Sequence, residues 1–532
     1  MTAEVESADQ AAVAEFLARP ESHGLAPGET VERIDTHGAM VFLAGARVYK
    51  VKRAVRFPYM DFSTLELRRS ACEREIALNR RTAPALYLGV VTVTRGKGGT
   101  LHLGGSGEII EYAVEMQRFE QASLFDRMAQ SSSLSDDHLD QLAGAIAEFH
   151  AAAEISHDAA FGGRDGMAWV IEENYQEHQQ FPGLFPPEAA AALDQSGHAA
   201  LAAVSKLLEA RRRDGFVRHC HGDLHLRNIC LLDGKPTLFD TIEFNDALAV
   251  IDTLYDLAFL LMDFEHRNMR PAANRVFNRY LGASGDFAGL AALPLFMSAR
   301  AGVRAKTGAV QAEALDDQTA AYEARSEARA YLGLAANLLA VEKPRLIAVG
   351  GLSGSGKTTL ARRLAPLIGH APGALHIRSD VIRKHLFDWH ETTPLGPEGY
   401  TPDANRRVYG EMARHAKAGL AGGYAVVTDA VFAKQAERAE MAELAAEAGV
   451  PFTGFWLDAP AHCLRERITG RHNDASDATP AILRQQLDYD LGEMAWQRLD
   501  SSGDAEQIAV RAAGMFSSPH DLPDNANKIN KI

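Results

Sequence analysis

The chain has 532 residues, of which 46% are hydrophobic and 23% charged, so it has enough apolar material for at least two globular domains and is not of the disordered class. Its formal net charge of -15 disfavours a general role on nucleic acid or anionic membrane, because such binding needs a basic surface. Four cysteines in so long a chain are too few for a disulfide framework and fit reducing conditions.

Residues 1–27 form an N-terminal segment that lacks the pattern of a secretory signal, because acidic residues stand where basic ones would be needed. No apolar run in the chain reaches the roughly 18 residues of a membrane span. We therefore expect a cytoplasmic protein with no membrane partner and no general nucleic-acid binding.

Residues 28–340 have the pattern of one domain, in which a small sheet precedes a larger helical part. Short strands are predicted at MVFLAG, RVYKVKR, LYLGVVTVTR and EIIEYAVEMQRF, with a helix through STLELRRSACEREIALNRRTAP. SLSDDHLDQLAGAIAEFHAAA has apolar residues at helical spacing behind a serine cap. A strand pair with a turn at Asp233-Gly234 then precedes a helical stretch over 248–341.

The stretch HCHGDLHLRN, residues 219–228, places an aspartate and an asparagine at the spacing of a kinase catalytic loop. In such a loop the carboxylate, here Asp223, orients an attacking hydroxyl and accepts its proton, and the amide of Asn228 holds a metal on the phosphates. Further on, Asp240 in LFDTIEF ends a strand, where a second metal-binding carboxylate is required.

Two other interpretations of this stretch are possible. Asp223 and Asn228 could be turn residues that satisfy their own backbone. Cys220 and Cys230 stand beside three histidines, so a zinc site must also be considered, although the spacing matches no common zinc pattern.

HGDLHLRN, LFDTIEF and the following IDTLYDLAFLL resemble the aminoglycoside phosphotransferase-like family of small-molecule kinases, which share the protein-kinase fold. The resemblance implies that Asp223 is the base, that Asn228 and Asp240 bind Mg²⁺, and that His221 supports the loop. Asp252 and Asp256 are expected to brace the catalytic lobe rather than to contact substrate.

A fold of this kind needs a strand lysine on the ATP phosphates and a helix acid that holds it. RVYKVKR offers Lys50 and Lys52 on the same face of a strand, and Lys50 is preferred. CEREIALN offers Glu75 and Glu73, and Glu75 lies nearer the apolar residues of the helix. The loop THGAMVFL has one glycine where protein kinases have three, so it is assigned as the phosphate lid from its position alone.

Near residue 341 the pattern changes to strands that alternate with helices, which predicts a parallel sheet covered on both faces. This second domain is expected over 341–516, followed by a flexible tail over 517–532. GLSGSGKT fits the P-loop pattern in full, between strand RLIAVG and helix TTLARRLAPLI. Its backbone and side chains are predicted to bind ATP phosphates through Gly351, Ser353, Gly354, Ser355, Gly356, Lys357, Thr358 and Thr359, with Thr358 also a Mg²⁺ ligand.

Asp380 ends the second strand in IRSD and resembles the acceptor-binding base of the P-loop kinases related to gluconate kinase, polynucleotide kinase and zeta toxin. Asp380 could alternatively be a helix cap. Asp429 occupies the Walker B place, where a carboxylate steadies Mg²⁺. Arg467 and Arg471 lie in a stretch that resembles the arginine-bearing lid of these kinases, although surface ion pairs would also explain them.

The fold expected from these resemblances is α/β and α+β: an N-terminal bilobal protein-kinase-like fold, then a P-loop NTPase domain with a parallel β-sheet flanked by helices. The function expected is a bifunctional kinase that uses ATP and Mg²⁺ to phosphorylate hydroxyl groups of small molecules. Two rivals stay open. One half could be a nucleotide-binding regulatory module, or the first domain could modify aminoglycoside antibiotics.

Overall fold

A computed structural model describes residues 8–57, 59–340, 342–389, 393–470 and 475–516. The described chain forms two compact units. The first contains the residues up to Glu173 together with Leu201–Asp263, and the second contains Asn174–Ala200 together with the residues from Phe264 onward. Each unit is described separately below.

The first unit contains the antiparallel sheet with helices before, within and after it along the chain, and three of the later helices also contribute residues to the second unit. Its elements are α1 (Ala8–Leu17), β1 (Val31–Asp35), β2 (Ala39–Ala44), β3 (Arg47–Lys52), β4 (Arg56–Phe57), β5 (Met60–Asp61), α2 (Leu65–Asn79), β6 (Tyr87–Arg95), β7 (Leu101–Leu103), β8 (Glu108–Gln117), α3 (Phe125–Gln130), α4 (Asp136–Ala152), α5 (Gly163–Gln179), α6 (Pro187–Arg213), β9 (Val217–His219), β10 (Ile229–Leu232), β11 (Lys235–Leu238), α7 (Asp246–Ala249), β12 (Val250–Asp252) and α8 (Thr253–His266).

Six strands of this unit form an antiparallel sheet in the order β1-β2-β3-β8-β6-β7. Helix α1 lies within the predicted N-terminal segment, and its Val13 and Leu17 pack into one core with Met40 and Phe42 of β2. Burying an apolar side chain of this size stabilises the fold by about 1.5 to 3 kcal/mol, so α1 contributes to the stability of the first unit.

Local sequence features explain where the elements of the helical part begin and turn. The Ser135 side chain accepts the backbone N–H of His138, so the predicted serine cap of α4 is confirmed. The predicted turn between β10 and β11 is also confirmed, because Asp233 and Gly234 both have positive φ, at 49° and 77°.

The second unit contains a parallel sheet with its flanking helices, preceded along the chain by a further group of helices. Its elements after α8 are α9 (Arg270–Ser284), α10 (Leu293–Glu313), α11 (Gln318–Leu338), β13 (Leu346–Gly351), α12 (Lys357–Leu364), β14 (Leu375–Arg378), α13 (Ser379–Leu386), α14 (Pro402–Ala421), β15 (Val426–Asp429), α15 (Gln435–Glu447), β16 (Phe452–Asp458), α16 (Ala461–Thr469), α17 (Pro480–Leu487), β17 (Gln497–Asp500) and α18 (Ala505–Gly514).

The parallel sheet has five strands in the order β14-β15-β13-β16-β17. Strands β13 and β15 are entirely buried, as expected for a sheet with helices on both faces. The alternating pattern of strands and helices therefore predicted this architecture correctly. Strand β17 was missed, because three of its four residues are exposed and it has no apolar run.

Helices α9, α10 and α11 belong to the same compact unit as the parallel sheet, whereas the sequence pattern favours a division near residue 340. Where the chain separates in solution stays a prediction. The predicted tail over 517–532 lies outside the described residues. No helix in the described ranges is both long enough and apolar enough to span a lipid bilayer.

Candidate functional site

The first candidate site is the loop between β9 and β10, which contains Asp223 and Asn228. The backbone turns at Gly222 with φ of 84°, and a Cβ atom there would lie 2.8 Å from the carbonyl oxygen of Leu248, so glycine is required. Asn228 Nδ2 donates to the backbone oxygen of Asp223 at 3.0 Å and to its Oδ2 at 2.9 Å. The loop therefore holds the predicted base beside the predicted metal ligand.

Two aspartates of α8 fix the backbone of this loop. Asp256 accepts the N–H of His221 at 3.0 Å and that of Gly222 at 2.8 Å. Asp263 accepts the N–H of Leu226 at 3.0 Å. Both aspartates are almost fully buried. Asp256 thus has the bracing role expected of it, while Asp263 was not singled out in the sequence because nothing local marks it.

His221 supports the loop from within the unit. Its Nε2–H donates to the carbonyl oxygen of Phe239 at 2.9 Å, and its Nδ1 accepts the N–H of Asp223 at 3.3 Å. Burial lowers the pKa of His221, although Asp256 and then Asp223 act in the opposite direction. The neutral ring is the form that makes both hydrogen bonds, in agreement with a supporting role.

The cysteines near this loop bear on the zinc alternative. Among the described residues, Cys220 lies close enough to His150 and Asp256 to share an ion with them. However, Asp256 already accepts from the His150 ring at 3.1 Å and from two backbone N–H groups. Cys230 is buried, and burial raises the pKa of its thiol to about 12. These contacts are those of a structural core rather than of a zinc site.

Asp240 follows β11 and has a left-handed backbone with φ of 64°, which is uncommon outside glycine but accessible to aspartate. Its N–H donates to the hydroxyl of Tyr87 at 3.1 Å. Its Oδ1 lies 2.6 Å from Lys50 Nζ, and 41% of its side chain is exposed. The turn therefore presents an accessible carboxylate next to a lysine, which suits a metal ligand beside phosphates.

The structure separates the roles of the two strand lysines. Lys50 Nζ lies 2.9 Å from Glu75 Oε1 and also contacts Asp240. Lys52 Nζ lies 2.5 Å from Glu75 Oε2 and contacts Glu243. The Lys52 side chain is only 3% exposed, against 15% for Lys50. Lys50 is therefore the better placed of the two to reach a phosphate.

Glu75 is the buried acid of this pair and Glu73 is a surface residue. Glu73 pairs with Arg69 at 2.9 Å on the exposed side of α2. The Glu75 side chain has no exposed surface. Burial opposes the charge of Glu75, but Lys50 and then Lys52 outweigh it and lower its pKa to about 2. Glu75 is thus an ionised carboxylate that neutralises both lysines.

His37, in the lid loop between β1 and β2, is a candidate site residue that the sequence analysis did not name. Burial lowers the pKa of His37, and the charges that act on its ring are those of Asp223, Lys50 and Asp240. The ring therefore lies near the site. The histidine immediately before Gly38, the one glycine of the predicted lid, was the feature that could have identified it.

The second candidate site is the loop from β13 to α12. Three of its glycines have positive φ: 145° at Gly351, 83° at Gly354 and 89° at Gly356. A Cβ atom at Gly354 would lie 2.5 Å from the carbonyl oxygen of Leu464. Glycine is therefore required there, and the loop can direct backbone N–H groups inward at the start of a helix.

Polar groups around this loop fit a phosphate ligand. Lys357 Nζ donates to the carbonyl oxygen of Leu352 at 3.0 Å, so the side chain folds back over the loop. The Ser355 hydroxyl is buried without a hydrogen-bond partner among the described residues, and such a group commonly serves a ligand. Ser353 N–H donates to Gln486 Oε1 at 2.8 Å. At the start of α12, Thr358 is half-buried and Thr359 is exposed.

The parallel sheet brings two carboxylates to the edge where this loop lies. Asp429 ends β15, beside β13, and Asp380 lies in the first turn of α13, directly after β14. Burial opposes the charge of Asp429, but a hydrogen bond from His376 at 3.2 Å and the charges of Arg378 and Lys357 lower its pKa to about 2. Burial, followed by the charge of Asp429, raises the pKa of Asp380.

Arg467 of α16 contacts the backbone beside the P-loop. Its Nη2 donates to the carbonyl oxygen of Ser501 at 2.8 Å, and its Nη1 lies at the limit of a hydrogen bond, 3.5 Å from the carbonyl oxygen of Gly354. The predicted lid arginine thus lies next to the predicted phosphate loop. Arg471, the other predicted lid arginine, lies outside the described residues.

A network around Asp477 adds residues that the sequence analysis missed. Lys384, fully buried, donates to Asp477 Oδ1 at 2.6 Å and to the carbonyl oxygen of Thr393 at 2.5 Å. The Tyr400 hydroxyl donates to Asp477 Oδ2 at 2.7 Å. Burial, then Asp477, raises the pKa of Tyr400, and the charge of Asp380 also contributes. The network therefore fixes residues 393–400 in the neighbourhood of Asp380.

Two family models match the chain: the Phosphotransferase enzyme family over residues 45–293 and an AAA domain over residues 346–489. An uncharacterized protein of Mycobacterium tuberculosis is 30% identical over 508 residues, which cover 94% of this chain and 98% of the relative. An uncharacterized protein of Mycobacterium bovis matches with the same identity and coverage. The predicted order of the two domains is confirmed.

Solved structures similar to this chain include a choline/ethanolamine kinase family protein from Mesorhizobium loti, 14% identical, with a TM-score of 0.33. That match covers 62% of this chain and 98% of the other. A gluconokinase from Sinorhizobium meliloti is 23% identical with a TM-score of 0.24, and the match covers 32% of this chain and 92% of the other.

Proposed function

The chain belongs to the family of its mycobacterial relatives and carries a phosphotransferase-family domain followed by an AAA domain, and from this premise we propose that it is a bifunctional ATP-dependent kinase. Each domain would transfer the γ-phosphoryl group of ATP to a hydroxyl group of a small molecule. One observation carries the proposal: each domain holds a lysine whose charge acts on a carboxylate of the same site, Lys50 on Asp240 in the first and Lys357 on Asp380 in the second.

In the first site, Asp223 would accept the proton of the attacking hydroxyl as the new O–P bond forms. Asn228, which donates to the Asp223 carboxylate, fixes its orientation. Lys50, held by Glu75, would offset the negative charge of the phosphates. Lys50 is protonated and positively charged. Burial alone would lower its pKa, but the charges of Asp240 and Glu75 outweigh this effect and keep the pKa well above the ordinary value.

In the second site, the P-loop backbone and Lys357 would hold the phosphates and Asp380 would accept the acceptor proton. The raised pKa of Asp380, caused by burial and by Asp429, favours a proton acceptor over a permanently charged ligand. Arg467 would offset charge on the transferring phosphoryl group from the lid side.

Mg²⁺, when bound, would neutralise charge on the phosphates. In the first site Asn228 and Asp240 would hold it, and in the second site Thr358 and Asp429. These donors are oxygen atoms, which Mg²⁺ prefers, and the exposed Asp240 carboxylate and the ionised Asp429 carboxylate suit a divalent cation.

The acceptors are proposed to be metabolites or sugar-like molecules rather than aminoglycosides. A polycationic antibiotic would need an acidic binding surface, and no such cluster is evident in the sequence. A regulatory module that only binds nucleotide is the other rival. Against it stand Asp223 and Asp380, because a pure binding module has no use for an acceptor-side base. We further propose that the protein works in the cytoplasm on small-molecule partners.

The test is ATP consumption by the full-length chain over a panel of hydroxyl metabolites, sugars and one aminoglycoside. Asp223→Asn should strongly slow the reactions of the first site only, and Lys357→Ala those of the second only. Matched controls are Asp165→Asn and Lys417→Ala, which remove the same charges from exposed positions. Phosphorylation that survives Asp223→Asn but not Lys357→Ala for every substrate would support the regulatory module instead.

A further inference from the structure

Strand β14 lies at the edge of the parallel sheet and so needs partners on its outer side. It pairs with β15 on one side only, and Leu375 N–H donates to the carbonyl oxygen of Ala425 on that side. Backbone groups alternate in direction along a strand, so Ala374 C=O and His376 N–H point to the open edge. Unpaired edge groups are a liability that proteins cover with another element.

Helix α9 covers this edge with side-chain amides. Asn278 Oδ1 accepts the N–H of His376 at 2.7 Å, and its Nδ2 donates to the carbonyl oxygen of Ala374 at 3.2 Å. One carboxamide therefore replaces the donor and acceptor that a neighbouring strand would supply. Asn274, one turn earlier on the same helix face, also donates to Ala374 at 3.0 Å.

A third contact extends the row. Arg270 Nη2 donates to the carbonyl oxygen of Gly369 at 2.6 Å. Residues 270, 274 and 278 are four positions apart and so share one face of α9. That face belongs to the segment 45–293 that matches the Phosphotransferase enzyme family, although α9 packs within the unit of the AAA domain.

The strand that α9 fixes carries a residue of the P-loop site. His376 Nε2 lies 3.2 Å from Asp429 Oδ2, and both side chains are 6% exposed. Asp429 is the predicted carboxylate of the Mg²⁺ shell. An unbroken series of hydrogen bonds and covalent bonds therefore connects Asn278 of α9, through the backbone and ring of His376, to Asp429.

We propose that α9 is a working part of the P-loop site and that His376 is a positioning residue for Asp429. This proposal rests on the kinase function proposed above for the second domain. Asn274 and Asn278 would hold β14 in register, and the ring of His376 would hold the Asp429 carboxylate in the orientation that the metal ion requires. Groups that orient a metal ligand commonly change metal affinity by about 10- to 100-fold when removed.

The first arm of the test measures hydrogen exchange over residues 374–378 in the full-length chain. Asn278→Ala should accelerate exchange of the His376 amide at least tenfold, because its acceptor is lost. Alanine is the better helix former, so a loss of α9 itself would not explain the result. Asn337→Ala, at an exposed position of α11 in the same unit, is the control and should leave the exchange unchanged. Unchanged exchange in Asn278→Ala would overturn the role of α9.

The second arm measures binding of a non-hydrolysable ATP analogue as a function of Mg²⁺ concentration. Binding to the P-loop site is taken as the part that is lost when the Lys357→Ala substitution is added. His376→Ala should raise the Mg²⁺ concentration for half-saturation by about 10- to 100-fold. His376→Gln, whose amide can donate from a similar place, should recover most of the loss. In turnover assays the defect should appear in the Mg²⁺ requirement rather than in kcat at saturating Mg²⁺.

The outcomes separate the two levels of the proposal. Wild-type Mg²⁺ dependence in His376→Ala, or equal defects in the alanine and glutamine variants, would overturn the positioning role while the kinase function stands. A wild-type chain without any Lys357-dependent nucleotide binding would overturn both the kinase function of this domain and the positioning role. The exchange experiment would still decide whether α9 holds β14, because it requires no ligand.

Discussion

Glu75→Gln removes a buried negative charge while keeping the shape of the side chain. The Glu75 carboxyl has a pKa of about 2 in place of the ordinary 4.5, because the charges of Lys50 and Lys52 outweigh the burial that opposes ionisation. Each pH unit of such a difference corresponds to about 1.36 kcal/mol, so ionised Glu75 stabilises the first unit by about 3 kcal/mol at neutral pH.

The expected loss in Glu75→Gln is therefore about 3 kcal/mol at pH 7. Complete unfolding is not expected, because Lys50 keeps Asp240 as a partner and Lys52 keeps Glu243. The pKa of Glu75 is depressed on folding, so its contribution is full above the ordinary pKa of 4.5 and is lost as the pH falls towards 2. The difference between wild type and variant should shrink to about half by pH 3.

The free energy of opening of this unit is obtained from the hydrogen-exchange rates of the amides of β3 and α2, measured at increasing urea concentrations. Tryptophan fluorescence would report mainly on the second unit, because Trp389, Trp456 and Trp496 lie there and only Trp169 lies in the first. Glu73→Gln, an exposed acid of the same helix, is the matched control and should have no measurable effect. A Glu75→Gln protein as stable as wild type at pH 7, or a deficit that stays constant down to pH 3, would refute this reasoning.

Three further predictions concern the sites and the division of the chain. Lys357→Ala should weaken ATP binding by the second domain, whereas Asp380→Asn should spare binding and lower transfer; calorimetry that finds equal losses would place Asp380 on the phosphate side. Asp223→Asn should slow the first reaction by about 10² to 10⁴-fold, and Asp240→Ala should also weaken productive ATP binding; an undiminished rate in Asp223→Asn would leave its loop as structure. Limited proteolysis should cut the chain at 336–344 and give fragments of about 38 and 20 kDa. The fragments should remain associated through α9, and a single resistant core would contradict this prediction.

The parts of the sites that the sequence predicts are those whose geometry is local. The P-loop glycines, the turn at Gly222 and the contact between Asn228 and Asp223 depend on the backbone of a few consecutive residues, so motif spacing is enough to identify them. The position of Asp429 can be predicted in a similar way. It ends a buried strand, and the carboxyl ends of parallel strands lie at the same edge of a sheet.

Contacts between distant parts of the sequence could not be predicted in the same way. Alternation along β3 puts Lys50 and Lys52 on one face, and they are distinguished by residues much later in the chain, because Lys50 contacts Asp240 and Lys52 contacts Glu243. The ion pair of Lys384 with Asp477 joins positions 93 residues apart and has no local pattern. Strand β17 escaped prediction for a related reason, since an exposed edge strand has no need of the apolar run that marks buried ones.

Helix α9 also bears on how this gene can change over generations. The segment that matches the Phosphotransferase enzyme family extends to residue 293 and therefore includes the amides that cover the edge of a sheet in the other domain. A recombination event that replaced residues 45–293 with a homologous domain would also replace Arg270, Asn274 and Asn278. The incoming sequence would have to present equivalent groups at the same helical spacing, or the recipient sheet would be left with an open edge. The unit that recombination can exchange without loss is therefore the whole two-domain chain rather than either domain.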